Sequence, residues 1–233
     1  VSAPTIRWLG DCTLLIEFGE RIDPAVNAAA LALAARIRAA AIPAIVDIVP
    51  AYASVAVHYD PLACGDRKLA ADTGLRERLA PLIENLDAHD GAGGREHSVP
   101  VCYGGEHGPD LAAMARHLRL DEREIIARHC APSYRVAMIG FRPGFPYLLG
   151  LDPALSMPRL ATPRARVPAG SVGIGGVQTG IYPDAAPGGW QLIGRTPLRL
   201  FDPASATPAR FGPGDKLRFV AIDAADYAAL EAR

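Results

Sequence analysis

The sequence predicts a small α+β domain over residues 1–90, followed by a mainly β domain over residues 91–233 that reads as a closed barrel carrying two short helices. The N-terminal periodicities run β-β-α-β-β-α. A polar, glycine-rich break, DAHDGAGGRE at residues 87–96, supports neither the helical nor the strand period and marks the linker. From SYRVAMIGF to GDKLRFVAI the chain is short strands and Pro/Gly turns. At 233 residues there is ample chain for two cores.

Short strands are expected at TIRWLG and CTLLIEFG. The first helix opens at Asp23-Pro24, an N-cap with proline in the first turn, and runs through AVNAAALALAARIRAA. Strands AIVDIV and SVAVHYD follow, the second with Val55, Val57 and Tyr59 alternating onto one face, and a second helix falls around residues 75–88. Beyond the break, SVPVCYGG reads as a strand. Asp110 is placed to cap a short helix, and Asp121 with Glu124 has the spacing of a capping box at the start of the next.

A formal net charge of −1 leaves no basic face and excludes nucleic acid as a natural partner. No apolar run approaches the ~20 residues needed to span a bilayer, and the N-terminal residues show neither a basic n-region nor an apolar h-region. Cys12, Cys64, Cys102 and Cys130 are widely spaced with no C-x-x-C pair, the pattern of reduced thiols in a cytoplasmic protein. The six histidines form no helical ligand pair, so no metal site is readable; most read as surface residues, with His107 in its glycine-rich loop kept open as a ligand contact. Ser171 reads as a turn residue, because Ala169 replaces the first glycine of a nucleophile elbow and a strand follows. Cys102 and Cys130 read as core thiols.

The stretch VGIGGVQTGIYPDAAPGGW, residues 172–190, fails both nucleotide-loop fingerprints: Gln178 stands where the third dinucleotide-loop glycine belongs, and no lysine precedes Ser or Thr. Val172 and Ile174 alternate in one phase and Val177, Thr179 and Ile181 in the other. A β-bulge at Gly175-Gly176 would absorb that slip and turn Gln178 and Tyr182 away from the core, before a tight turn at PGG and a strand WQLIG. The alternative is a barrel corner whose glycines only relieve crowding. In GFRPGFPYLLGLDP, Pro143 and Pro146 argue against a regular helix or central strand, while Phe141, Phe145 and Tyr147 crowd together and Arg142 adds a cation. In PRLATPRARVP the prolines imply extended backbone, with Arg164 and Arg166 on one face and Arg159 on the other.

Together with YGGEHGPDL and FGPGDKLRF, these strings closely resemble the PxpB/KipI family, also called allophanate hydrolase subunit 1. The resemblance spans nearly the whole chain and is densest from Val101 to Phe219. It implies a cyclophilin-like β-barrel for residues 91–233. It also implies a subunit of a bacterial ATP-dependent 5-oxoprolinase, which opens 5-oxo-L-proline to L-glutamate with a PxpC/KipA-type subunit and a PxpA/LamB-YcsF-type subunit. ATP would be bound by the complex, in a subunit the sequence does not specify, and the isolated chain would be inactive. No Met-Lys-Met biotin site is present. Other family roles are a KipI-like inhibitor of a sensor histidine kinase and a carboxyltransferase-like or allophanate hydrolase-related subunit of urea metabolism. A lactam carboxylate and developing phosphoryl charge call for arginines and backbone donors. The pocket candidates are Arg142, Tyr147, Arg164, Gln178, Tyr182, Trp190 and Arg195; no catalytic residue is assigned.

Overall fold

A computed structural model describes residues 4–63, 71–84, 86 and 93–232. Contacts gather the chain into two compact units, Val1–Gly93 and Gly94–Arg233. Most of the expected linker, residues 87–92, lies outside the described residues, as do Cys64, Lys68 and His89.

The first unit is β1 (Thr5–Trp8), β2 (Thr13–Glu17), α1 (Pro24–Ala39), β3 (Ile45–Pro50), β4 (Ser54–Tyr59) and α2 (Ala71–Ile83). Its antiparallel sheet has the order β1-β2-β4-β3. Asp23 caps α1 as its sequence predicts, its carboxylate accepting from the N–H groups of Ala25 and Val26. Leu14, Ile16, Val55, Val57 and Tyr59 form one sheet face and bury against Leu33 and Ile37 of α1 and Leu75 and Leu79 of α2. The period-2 reading of β4 therefore selects the correct face.

The second unit contains β5 (Glu96–Tyr103), α3 (Leu111–Leu118), α4 (Glu122–Cys130), β6 (Tyr134–Ile139), β7 (Pro146–Leu149), β8 (Arg164–Val167), β9 (Ser171–Gly175) and β10 (Gln178–Ile181). It continues with β11 (Ala186–Gly188), β12 (Gln191–Arg195), β13 (Lys216–Ile222) and α5 (Ala224–Glu231). Seven strands close in the order β10-β7-β6-β13-β5-β12-β9, with β9 and β10 completing the ring and β5–β13 the parallel pair. This is the cyclophilin-like barrel expected, following the α+β unit. Val99, Val101, Val136, Leu148, Val172, Ile174, Ile181 and Phe219 fill the interior, and Leu111, Met114 and Ile125 of α3 and α4 join the same core. Asp121 caps α4 by accepting from the Glu124 N–H at 2.6 Å, while the Glu124 side chain turns to Arg128. Helix α5 is an addition to the expected elements.

Several local expectations are corrected. The phase slip at Gly175-Gly176 is a hairpin, not a bulge: β9 and β10 pair Gly175 with Gln178 and Ile174 with Thr179. A two-residue loop pairs even-numbered with odd-numbered residues, so both phases face the core without an extra residue. Gly176 takes φ +63° at the first loop position and Val177, expected in the core, is 61% exposed at the turn. The Pro-Gly of the expected tight turn belongs to β11, which pairs with β8 in a two-stranded ribbon. Pro146, expected to break regular structure, opens β7, where a first strand residue loses no essential donor.

His129 is the largest departure from the surface reading, being wholly buried within the barrel core. Its ring stacks on Phe219 at 4.4 Å and bonds the Tyr103 hydroxyl through Nδ1 at 2.8 Å and the Thr179 Oγ1 through Nε2 at 3.1 Å. Thr179 donates its own proton to the Gly173 carbonyl, so Nε2 carries the imidazole proton and Nδ1 accepts from Tyr103. Burial lowers the His129 pKa to about 3, so the ring stays neutral.

Candidate functional site: an aromatic cup on the barrel wall

Alternation places Val172 and Ile174 of β9 and Thr179 and Ile181 of β10 inside the barrel, which turns Gly173, Gly175 and Gly180 outward. Aromatic rings occupy the space these glycines leave. A Cβ on Gly175 would lie 2.6 Å from the Trp190 indole, and one on Gly180 would lie 2.9 Å from the Phe145 ring. Across the site, Gly188 admits the Tyr182 hydroxyl in the same way. The glycines thus relieve crowding and, by doing so, build a pocket.

Phe145, Tyr182 and Trp190 bury together with Val167 of β8, Ala186 of β11 and Leu192 of β12 under the β8–β11 ribbon. Phe145 meets Tyr182 edge-on at 5.2 Å and Trp190 edge-on at 5.6 Å, and Tyr147 closes the ring of contacts 6.0 Å from Trp190. Between them lies a cavity of about 170 Å³, bordered also by Phe141, Arg159, Pro163 and Gly189. This volume suits a small ring rather than a drug-sized ligand.

Arg159 is the cation at the cup, 5.9 Å above the Trp190 ring. Two bonds hold its backbone: the Pro158 carbonyl accepts from the Gln191 side chain at 2.9 Å, and the Leu160 N–H donates to the Gly189 carbonyl at 2.7 Å. Burial pushes the phenols of Tyr147 and Tyr182 up; Arg159 pulls both back, as does the Trp190 N–H at Tyr182, but burial wins. Both remain neutral hydroxyls.

Phe141 stands at the mouth, 58% exposed, with φ +64° and edge-on to Phe145 and Tyr182. The Arg142 N–H donates to the Gly140 carbonyl at 2.7 Å, closing a γ-turn of the rarer hand over Phe141. A bulky residue in this region is strained, and such strain persists where the surroundings impose it. Here the Arg142 side chain is clamped by both Asp184 carboxylate oxygens, tying the turn to the segment after Tyr182.

Of the residues expected to share a pocket, Tyr147, Tyr182 and Trp190 do so. The arginines are spent elsewhere: Arg142 on Asp184, Arg164 on Asp110 at 2.6 Å, and Arg195 on the Ala169 carbonyl and the Tyr227 ring. Gln178 is half-buried on the outward face of β10 beyond the cup. Asp110 begins α3 but makes no side-chain cap, its carboxylate going instead to Arg164 and the Leu192 N–H. His107 packs on Tyr227 at 4.3 Å. Arg159 and Phe141 were not among the pocket candidates. Residues 158–163 form no strand, so the alternation that set Arg159 apart from Arg164 does not apply.

Among the described residues no group of three or more His, Cys, Asp or Glu side chains gathers as a metal site, and no helix is long and apolar enough to cross a membrane. The family model of the carboxyltransferase domain, subdomain C and D, matches residues 4–211. A 5-oxoprolinase subunit of Bacillus subtilis is 41% identical over 234 residues, covering 97% of this chain and 96% of that protein. The crystal structure of TTHA0988 superposes with a TM-score of 0.77 at 39% identity, covering 91% of this chain. The chain spans 40% of TTHA0988's length. PH0987 from Pyrococcus horikoshii matches at 40% identity and a TM-score of 0.57, covering 96% of this chain and all of that one. With the family model reaching across both units and 41% identity to a 5-oxoprolinase subunit over 97% of the chain, the chain belongs to the PxpB family of carboxyltransferase subdomain C and D proteins.

Proposed function

We propose that the chain is a subunit of an ATP-dependent 5-oxoprolinase, acting with a PxpC/KipA-type and a PxpA/LamB-YcsF-type subunit, and that the aromatic cup holds the lactam substrate. The 41% identity to the Bacillus subtilis 5-oxoprolinase subunit, over nearly the whole of both chains, carries this reading. The cup supports it chemically. 5-Oxo-L-proline is a small five-membered ring bearing a carboxylate: the faces of Trp190 and Phe145 suit its methylenes, and Arg159 suits the carboxylate. The Tyr147 and Tyr182 hydroxyls offer polar contacts to the ring amide.

A lactam is a stable amide, and ATP bound by the complex would supply the driving force by making its oxygen a leaving group. The residues of this chain bind and orient the ring while that happens. Holding a reactant in one geometry is itself a large part of rate acceleration.

The test is reconstitution. The chain alone and the chain with both partner subunits are assayed for 5-oxoproline-dependent ATP hydrolysis. Turnover is expected from the complete set and not from the chain alone, and Arg159→Gln should raise the KM for 5-oxoproline by about tenfold, the worth of one charge-assisted contact. A complete set without turnover, combined with inhibition of a sensor histidine kinase's autophosphorylation by the chain, would overturn the reading in favour of a regulatory role. An unchanged KM in Arg159→Gln would remove the substrate from the cup.

A further inference from the structure

A larger cleft, about 480 Å³, opens elsewhere on the barrel unit beside the loop of residues 202–210. We propose that it binds a phosphorylated small molecule of nucleotide size, its phosphate groups held by Arg95, Arg199 and Arg210. The chain as a whole carries a net charge of −1, so three arginines lining one cleft, against the single carboxylate of Asp202, do not follow from a generally basic surface.

The back wall is built on Asp215. Its carboxylate, 7% exposed, accepts from the N–H groups of Arg95 at 2.8 Å and Gly212 at 2.9 Å, from His97 Nε2 at 3.0 Å and from Arg95 Nη2 at 3.2 Å. Burial pushes this carboxyl up, but those donors outweigh it and hold it below the ordinary range, so it stays ionised. Asp215 is thereby occupied as an anchor. It fixes Arg95, whose Nη2 also donates to the Arg210 carbonyl at 3.1 Å and whose side chain, 64% exposed, lines the cleft. Arg199 donates through Nε to the Phe201 carbonyl at 3.3 Å and pairs through Nη2 with Asp202 at 3.3 Å, an exposed pair that contributes little and yields to a stronger anion. Among the described residues, the Arg210 guanidinium has no hydrogen bond or ion pair.

The loop is pinned at its neck: Asp202 N–H donates to the Pro208 carbonyl and Arg210 N–H to the Leu200 carbonyl, each at 2.8 Å. The cleft is therefore held in shape before any ligand arrives. Leu200 and Pro208 add apolar surface, and Thr207 a hydroxyl. Guanidinium forks match phosphate oxygens in pairs, and the volume falls in the range of sites for nucleotide-sized ligands, which that of the cup does not.

The inference is independent of the cup and is tested by binding rather than turnover. The full chain is titrated calorimetrically with ATP, inorganic phosphate and adenosine. Saturable binding of ATP, weaker binding of phosphate and none of adenosine is expected. Arg210→Gln and Arg199→Gln should each weaken ATP about tenfold, as loss of one charge-assisted bond does, with Arg159→Gln at the cup without effect. Arg210 makes no side-chain bond, so its replacement should leave the thermal midpoint unchanged and the comparison clean. Absence of saturable ATP binding, adenosine binding as tightly as ATP, or unchanged ATP affinity in Arg210→Gln would each overturn the assignment. Because neither partner subunits nor 5-oxoproline are present, failure here leaves the reading of the cup standing, and failure of the cup leaves this one.

Discussion

Arg164 reaches from β8 to the Asp110 carboxylate at 2.6 Å, and the other oxygen of that carboxylate accepts from the buried Leu192 N–H, also at 2.6 Å. One side chain thus ties the ribbon that roofs the cup to the strand beneath it. Asp110→Ala would strand a half-buried guanidinium and a buried N–H together and should lower stability by about 3 kcal/mol. Asp110→Asn keeps an acceptor for Leu192 and should lose clearly less. Urea unfolding midpoints decide the matter, and equal losses in the two variants would show that the Leu192 hydrogen bond contributes nothing beyond the ion pair.

The outward glycines make room for rings. In Gly175→Ala the new methyl meets the Trp190 indole, so overpacking should cost about 1–3 kcal/mol and displace the ring. Tryptophan fluorescence should shift and affinity for 5-oxoproline fall. Gln178→Ala, outside the cup, should leave both unchanged.

Gly176→Val separates backbone from packing. Nothing lies within 4 Å of a Cβ at this position, so the cost comes only from φ +63° and should be about 1–3 kcal/mol. Thermal unfolding should show that loss while the cup's fluorescence stays native. Gly176→Asn, which tolerates the left-handed region, should recover much of the loss.

Burial lowers the His129 pKa from 6.5 to about 3, and an unfolded histidine binds its proton near the ordinary value. Between these values the unfolded state holds more protons than the folded one. The stability this neutral ring contributes is therefore present above about pH 6.5 and is lost progressively as pH falls toward 3. Urea midpoints measured from pH 7 to pH 4 should fall steeply in the parent. In His129→Leu the protein should be less stable at pH 7, because the Tyr103 hydroxyl loses its imidazole acceptor and keeps only the weaker contact with Cys130 Sγ, yet its pH slope should be shallower. An equal slope in both would place the acid sensitivity elsewhere.

Elements with strong local signals were legible. Asp23-Pro24 starts a helix because a carboxylate satisfies its first N–H groups and proline lacks a donor that the first turn would leave unpaired. Val55, Val57 and Tyr59 face a core because strand side chains alternate. The aromatic content of the site was legible too, since Tyr147, Tyr182 and Trp190 stand amid glycines and prolines that argue for a non-routine surface. The hairpin at Gly176 was misread because a phase slip alone fits a bulge or a two-residue turn; pairing partners distinguish them.

Periodicity, turn chemistry and ordered motifs along the chain suffice for the strand and helix faces, the barrel class and the family, because each is written in residues close together in sequence. Which charges remain for a ligand is settled by packing between distant segments. Arg142, Arg164 and Arg195 are alike in sequence, yet Asp184, Asp110 and the Ala169 carbonyl, 42, 54 and 26 positions away, engage them. Arg159 instead lies over Trp190 at the cup. A guanidinium's availability depends on which acceptor the fold brings within hydrogen-bond reach, and that distance is set by barrel closure and ribbon packing rather than by neighbours in the chain.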